Sequence, residues 1–173
     1  MGGAVSLSES VRAGFDSLGL PDWLIVLLLT ITPILEVRAS IPVAMLVYGW
    51  HWFPTFVVSF LGSLLIVPIA YTILVVAERI ARKVVWMAKA LDWLWLRTRR
   101  KSLKAERAGH AGLFAIVALP LPGAGTYTAC LTAYVLGMPA RKAIPTIVLG
   151  AVVECAILIV VVLFFEGALR FFG

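Results

Sequence analysis

Apolar positions crowd into four zones along the chain, at about 23–50, 52–78, 110–137 and 143–165. The second and fourth are continuous runs, long enough for a helix to cross about 30 Å of hydrocarbon. Pro54, Pro68 and Pro145 fall within or near them and read as helix starts or kinks, which neighbouring groups accommodate at depth. The first and third zones behave differently. Each is broken near its middle, one at "TPILEVRASIP" and the other at "LPLPGAGTYT". Proline inside a helix removes a hydrogen bond and clashes with the preceding turn, and glycine weakens helical continuity. Pro33 and Pro42 in the first zone, and Pro120, Pro122, Gly123 and Gly125 in the second, therefore predict two half-helices around a non-helical turn. Two complete crossings need about 40 residues. Zones of this length fit re-entrant hairpins instead.

The intervening segments agree with that plan. Residues 6–20 place Val11, Phe15 and Leu18 on one face, as in an interfacial amphipathic helix. Residues 79–107 interleave apolar residues with ten of the chain's fifteen Lys and Arg residues. Beside apolar spans such a stretch marks the cytoplasmic side of a membrane, and its tryptophans suit headgroup depth. A dip and return over 110–137 would keep Arg141 and Lys142 on that same side, whereas a single crossing would not. The two halves also repeat. A shift of 88 residues superposes Gly49 on Gly137, Leu61-Gly62 on Leu149-Gly150, Val47 on Val135 and Ile69 on Ile157. The expected fold is a single all-α integral membrane domain over 1–173, an inverted repeat of re-entrant helical hairpin plus transmembrane helix.

Composition sharpens the class. The chain is 62% hydrophobic and 14% charged, with mean hydropathy +1.02. Soluble domains are about a quarter charged, so this is a membrane protein, multi-pass and expected in the plasma membrane. The net charge of +6 is read as topology and attraction to membrane lipids rather than nucleic-acid binding. Cys130 and Cys155 lie in apolar zones and read as reduced packing residues. The sequence contains no metal-ligand cluster, cofactor motif or nucleophile–base pair, so an enzyme is not expected.

Candidate chemistry is confined to a few residues. Within the apolar zones the ionisable groups are Glu36, Arg38 and Glu154. A charge at the bilayer centre costs at least about 2.5–3.5 kcal/mol, so such groups line a polar cavity or pair. Glu36 and Arg38 either pair across the broken turn or act separately, the arginine gripping an anion and the glutamate titrating. Glu154 either carries a proton or hydrogen-bonds a neighbouring hairpin at Thr126 or Thr128. Thr126, Tyr127 and Thr128 offer hydroxyls that answer freed backbone groups or line a substrate site. Ala129 and Ala133 form a small-residue ridge suited to close helix contact or to a homodimer.

"ILEVRASIPVA" and "ALPLPGAGTYTACLTAYVLGMPARKA" carry a resemblance. Over about 23–165 the chain resembles the bacterial and archaeal putative small multidrug export family. Glu36, Arg38, Ile41 and Pro42 match its first-half pattern, and Pro120 to Gly123 with Thr126 match its second. The second half is similar, more distantly, to DedA-type (VTT/SNARE-associated) membrane proteins. That resemblance implies paired re-entrant hairpins and, for some members, proton-coupled flipping of a polyprenyl-phosphate carrier, with acid and arginine roles on Glu36 and Arg38. The arginine that DedA-type proteins carry after the second turn is replaced here by Thr126 or Tyr127. The expected function is a small secondary transporter or lipid flippase for an anionic, phosphorylated substrate, with Glu36 and Glu154 coupling protons. A non-transporting scaffold and an ion channel are the alternatives.

Overall fold

The computed structural model describes residues 12–15, 17, 19–83, 103–121 and 124–172. Residues 1–11 and 84–102, together with Pro122 and Gly123, lie outside the described residues, as do the expectations placed on them. All regular structure among the described residues is helical: α1 (Asp22–Ile31), α2 (Glu36–Pro42) continuing into a π-helical turn (Val43–Val47), α3 (Trp52–Ala81), α4 (Leu103–Ala118), α5 (Thr126–Val135) and α6 (Ala140–Phe172). The chain forms two compact units, residues 1–63 with 152–173, and residues 64–151.

In the first unit the broken zone becomes two short arms. The chain leaves α1 at Thr32, whose carbonyl accepts from the N–H groups of Leu35 and Glu36, and helix resumes at once. The chain then folds back, because Ile25 and Val26 of α1 pack with Ala44 and Tyr48 at the end of the second arm. Ten residues of α1 make an arm of about 15 Å, half the thickness of a bilayer core. Pro33 sits in this turn, but Pro42 does not: it lies inside the second arm. Its missing N–H is absorbed within the arm, and the helix beyond it widens so that Tyr48 N–H reaches the Val43 carbonyl. The other face of that arm, Val37, Ile41 and Met45, packs on Cys155, Ile159 and Val162 of α6. Both triplets follow helical spacing, which makes each a single apolar stripe.

The second unit repeats the pattern locally. α4 ends at Ala118, a non-helical stretch containing Pro120 and Gly125 follows, and α5 packs back on α4. Ala129 and Ala133 of α5 are fully buried. Each unit also has one close helix contact made possible by glycine. A Cβ on Gly62 would stand 2.6 Å from Thr30 Cγ2, and one on Gly150 would stand 2.6 Å from Val117 Cβ. The two glycines are 88 residues apart, as are the starts of α3 and α6 and the ends of the two hairpins at Val47 and Val135.

The long helices bear the marks of a lipid environment. α3 has 30 residues and α6 has 33, and both are long and apolar enough to cross a membrane. Leu61, Leu65, Ile69, Ile73, Val76 and Ile80 form an exposed ridge along α3, a patch that water would penalise and hydrocarbon would not. Hydroxyls turn inward to their own backbone: Thr30 donates to the Val26 carbonyl, Ser63 to Ser59 and Thr72 to Pro68. With no water in the hydrocarbon, a helix must satisfy its polar side chains this way.

Substituting Gly150 or Gly62 by valine forces a backbone shift at these contacts. We expect loss of about 1–3 kcal/mol of stability, read as a lower thermal transition and aggregated protein on size exclusion. Gly167→Ala, where a Cβ meets nothing within 4 Å, is the control and should leave the transition unchanged or raise it slightly.

Candidate functional site: a guanidinium between two carboxylates

Glu36 opens α2 directly after the hairpin turn, with φ of +46°. It is the sole non-glycine residue with positive φ among the described residues. A left-handed conformation costs a non-glycine residue roughly 1 kcal/mol or more, and such strain collects at functional sites. The strained backbone holds a carboxylate that is 3% exposed. Two residues on, Arg38 reaches away from the arm. Its Nη2 donates to Glu154 Oε1 at 2.9 Å, while Nη1 lies 4.0 Å from Glu36 Oε2. Glu154 is on α6, one residue before Cys155, so the apolar packing of α6 on the second arm also brings its carboxylate to the arginine.

The three groups carry a net charge of −1 when all are ionised. Both carboxylates are buried, and the Arg38 side chain retains 21% exposure. Arg38 is therefore the one member of the triad open to a molecule arriving from outside. The second oxygen, Glu154 Oε2, is buried with no hydrogen-bond partner among the described residues. Buried charge of this kind is expensive unless paired, so an extra positive charge at the Glu154 carboxylate would be accommodated.

Of the two pairings open to Arg38, the long-range one is the tighter, since Glu154 is nearer than Glu36. Glu154 is held by this ion pair with Arg38. Thr126, Tyr127 and Thr128 form the first turn of α5 in the second unit, with Thr126 buried and the others half-buried. Several polar contacts escaped the sequence reading. Ser40 and Ser59, both fully buried, join the hairpin to α3 through hydroxyls 3.3 Å apart. In the second unit, Glu78 accepts from Tyr134 and from Arg82, the latter at 2.7 Å. Ser40 follows Glu36 by four residues on α2, a spacing that places both on one face. That spacing was the available signal for the serine.

Among the described residues no group of His, Cys, Asp and Glu is placed to hold a metal ion. The class is thus an all-helical membrane protein with two membrane-capable helices and an ionised centre buried among apolar residues. A family model described as "Putative small multi-drug export protein" matches residues 36–157, and the chain belongs to that family. The matched segment begins at Glu36 and includes Arg38 and Glu154. No curated protein and no solved structure matches the chain.

Arg38→Ala should be destabilising, because it takes the ion-pair partner from the buried Glu154 carboxylate. Removing one partner of a fully buried pair costs about 3–5 kcal/mol, and the partial exposure of Arg38 lowers that. Replacing both residues, Arg38→Met with Glu154→Leu, should restore most of the loss. Thermal unfolding of the single and double variants in one detergent checks this, and a double variant no better than Arg38→Ala would contradict it.

Proposed function

We propose that the chain is a small proton-coupled secondary transporter of the plasma membrane, with Glu36, Arg38 and Glu154 as its coupling and recognition centre. The observation that carries this reading is the Arg38–Glu154 ion pair, buried at the carboxylate and partly open at the guanidinium. A purely structural pair gains little over apolar packing, while a charge at membrane depth is a functional marker. The family description points to export.

In the proposed cycle a proton binds the Glu154 carboxylate and cancels its charge. The hold on Arg38 weakens, and the guanidinium becomes available to an anionic group such as a phosphate or carboxylate. Proton and anion occupy the centre together. When the anion leaves, Glu154 releases its proton and the ion pair re-forms. Glu36 stays beside Arg38 throughout and limits how far the guanidinium can move. Phosphorylated lipids and small amphiphilic phosphates belong to the substrate class this chemistry admits, and lipid flipping is one form the activity takes.

The membrane arrangement belongs to the same proposal. Both hairpins enter the bilayer and return, α3 and α6 cross it, and the basic segment 79–107 faces the cytoplasm. The arm lengths support re-entry, because about 15 Å of helix reaches only the midplane. The 88-residue correspondence supports a repeat, DedA-like in plan, whose halves have opposite orientation. Thr126, Tyr127 and Thr128 on the second hairpin are proposed to line the substrate path. A scaffold role is the second reading, favoured by the near-complete burial of Glu36 and Glu154.

Vesicles reconstituted with the protein and loaded with a pH-sensitive dye separate these readings. Adding dodecyl phosphate should drive proton uptake in the wild type. Glu154→Gln should still bind the phosphate but move no protons, and Arg38→Ala should do neither. Proton movement that is absent in the wild type, or unchanged in both variants, would overturn the transporter reading.

A further inference from the structure

A separate polar cluster lies wholly within the second unit. Near the end of α3, the Glu78 carboxylate is held by donors from two helices. Arg82 donates to its Oε1 through Nε and Nη2, both at 2.7 Å. The phenol of Tyr134, on α5, donates to Oε2. One helical turn before Tyr134, Cys130 is fully buried and interacts electrostatically with Tyr71 of α3. Tyr71 precedes Glu78 by seven residues, two turns along the same face. The Cys130–Tyr134 face of α5 is therefore turned toward the Tyr71–Glu78 face of α3.

We propose that α5 is a hinged strap, latched to α3 by the Tyr134–Glu78 hydrogen bond, and that release of the latch admits water to Cys130. Three observations converge on such a device. Apart from the latch, the buried residues of α5 are Thr126, Ala129, Cys130 and Ala133, small side chains with few dispersion contacts each. The second arm of the first hairpin instead packs valine, isoleucine and methionine on α6. Both ends of α5 are glycine joints, Gly125 at φ +148° before it and Gly137 at φ +65° after it. Glycine adopts such backbone without steric cost, and rigid elements swing about a few terminal residues of this kind. The latch itself sits beside the exposed side chain of Arg82, where water competes for a hydrogen bond. The inference rests neither on transport nor on the Glu36–Arg38–Glu154 centre, which belongs to the other unit.

The two cysteines supply the test, because Cys130 and Cys155 lie in different units and both are fully buried. The full chain in lipid nanodiscs is exposed to N-ethylmaleimide, and modification of each cysteine is followed over time by mass spectrometry. Local opening of the strap exposes Cys130 alone, whereas global unfolding exposes both thiols. Tyr134→Phe, which keeps the ring and removes the latch hydroxyl, should speed modification of Cys130 by about tenfold, the share of one hydrogen bond to a charged group. Modification of Cys155 should keep its wild-type rate. Size exclusion establishes that the variant is folded; if it is not, Glu78→Gln serves in its place and is read the same way. A Cys130 rate unchanged by the substitution would overturn the proposal. Rates that rise in parallel at Cys130 and Cys155 would overturn it equally, since Tyr134 would then support the whole fold rather than latch one arm.

Discussion

The first unit depends on a single contact, the ion pair between Arg38 and Glu154 at 2.9 Å, which links residues 116 apart in sequence. Each partner alone would be a charge in an apolar setting, at a cost of several kcal/mol. Together they oblige the second arm of the hairpin to lie against α6, and the Val37–Ile41–Met45 and Cys155–Ile159–Val162 stripes then fill the space around them. The apolar packing provides most of the contact area. The ion pair sets its register, since sliding either stripe by one helical turn would part the charges.

The backbone at Glu36 makes sense in those terms. A residue emerging from a tight turn into a helix would ordinarily relax to negative φ, and glycine would stand where it could not. Here a glutamate occupies the position at φ +46°, so the strain is tolerated in exchange for placing a carboxylate 4.0 Å from Arg38. Strain, burial and charge coincide on one residue of the hairpin, immediately after its turn. The second hairpin has Gly125 at φ +148° before its helix resumes. Thr126, Tyr127 and Thr128 follow it, and no carboxylate stands at that bend.

Much of the architecture was legible because its signals are local. Proline, glycine and charge interrupt an apolar run wherever a helix must break, and Pro33, Pro120 and Gly125 all fall in non-helical stretches. Pro42 illustrates the limit. A proline in the last turn of a short helix can be absorbed by widening the next turn, and nothing in "ASIPVA" distinguishes that from a break. Glu36, Arg38 and Glu154 could be read directly as the charged residues within the apolar zones. Their pairing could not, because Glu154 is equally compatible with a hydroxyl partner until α6 is packed on the hairpin. The Ser40–Ser59 contact was hidden for the same reason, since serines in apolar helices more often bond their own backbone.

The 88-residue correspondence gives the asymmetry of the site a physical explanation. In that register Ile66 stands where Glu154 stands in the other half, Thr126 where Arg38 stands, and Ala124 where Glu36 stands. Ile66 is fully buried, so the second unit keeps the packing position and loses the charge. Other features persist in both halves, including the close-contact glycines Gly62 and Gly150. Frame residues are retained because each unit needs them to pack. The second unit packs with isoleucine, threonine and alanine at the corresponding positions. A buried charge present in one half and absent from the matching position of the other is the asymmetry on which the proposed role of Glu36, Arg38 and Glu154 rests.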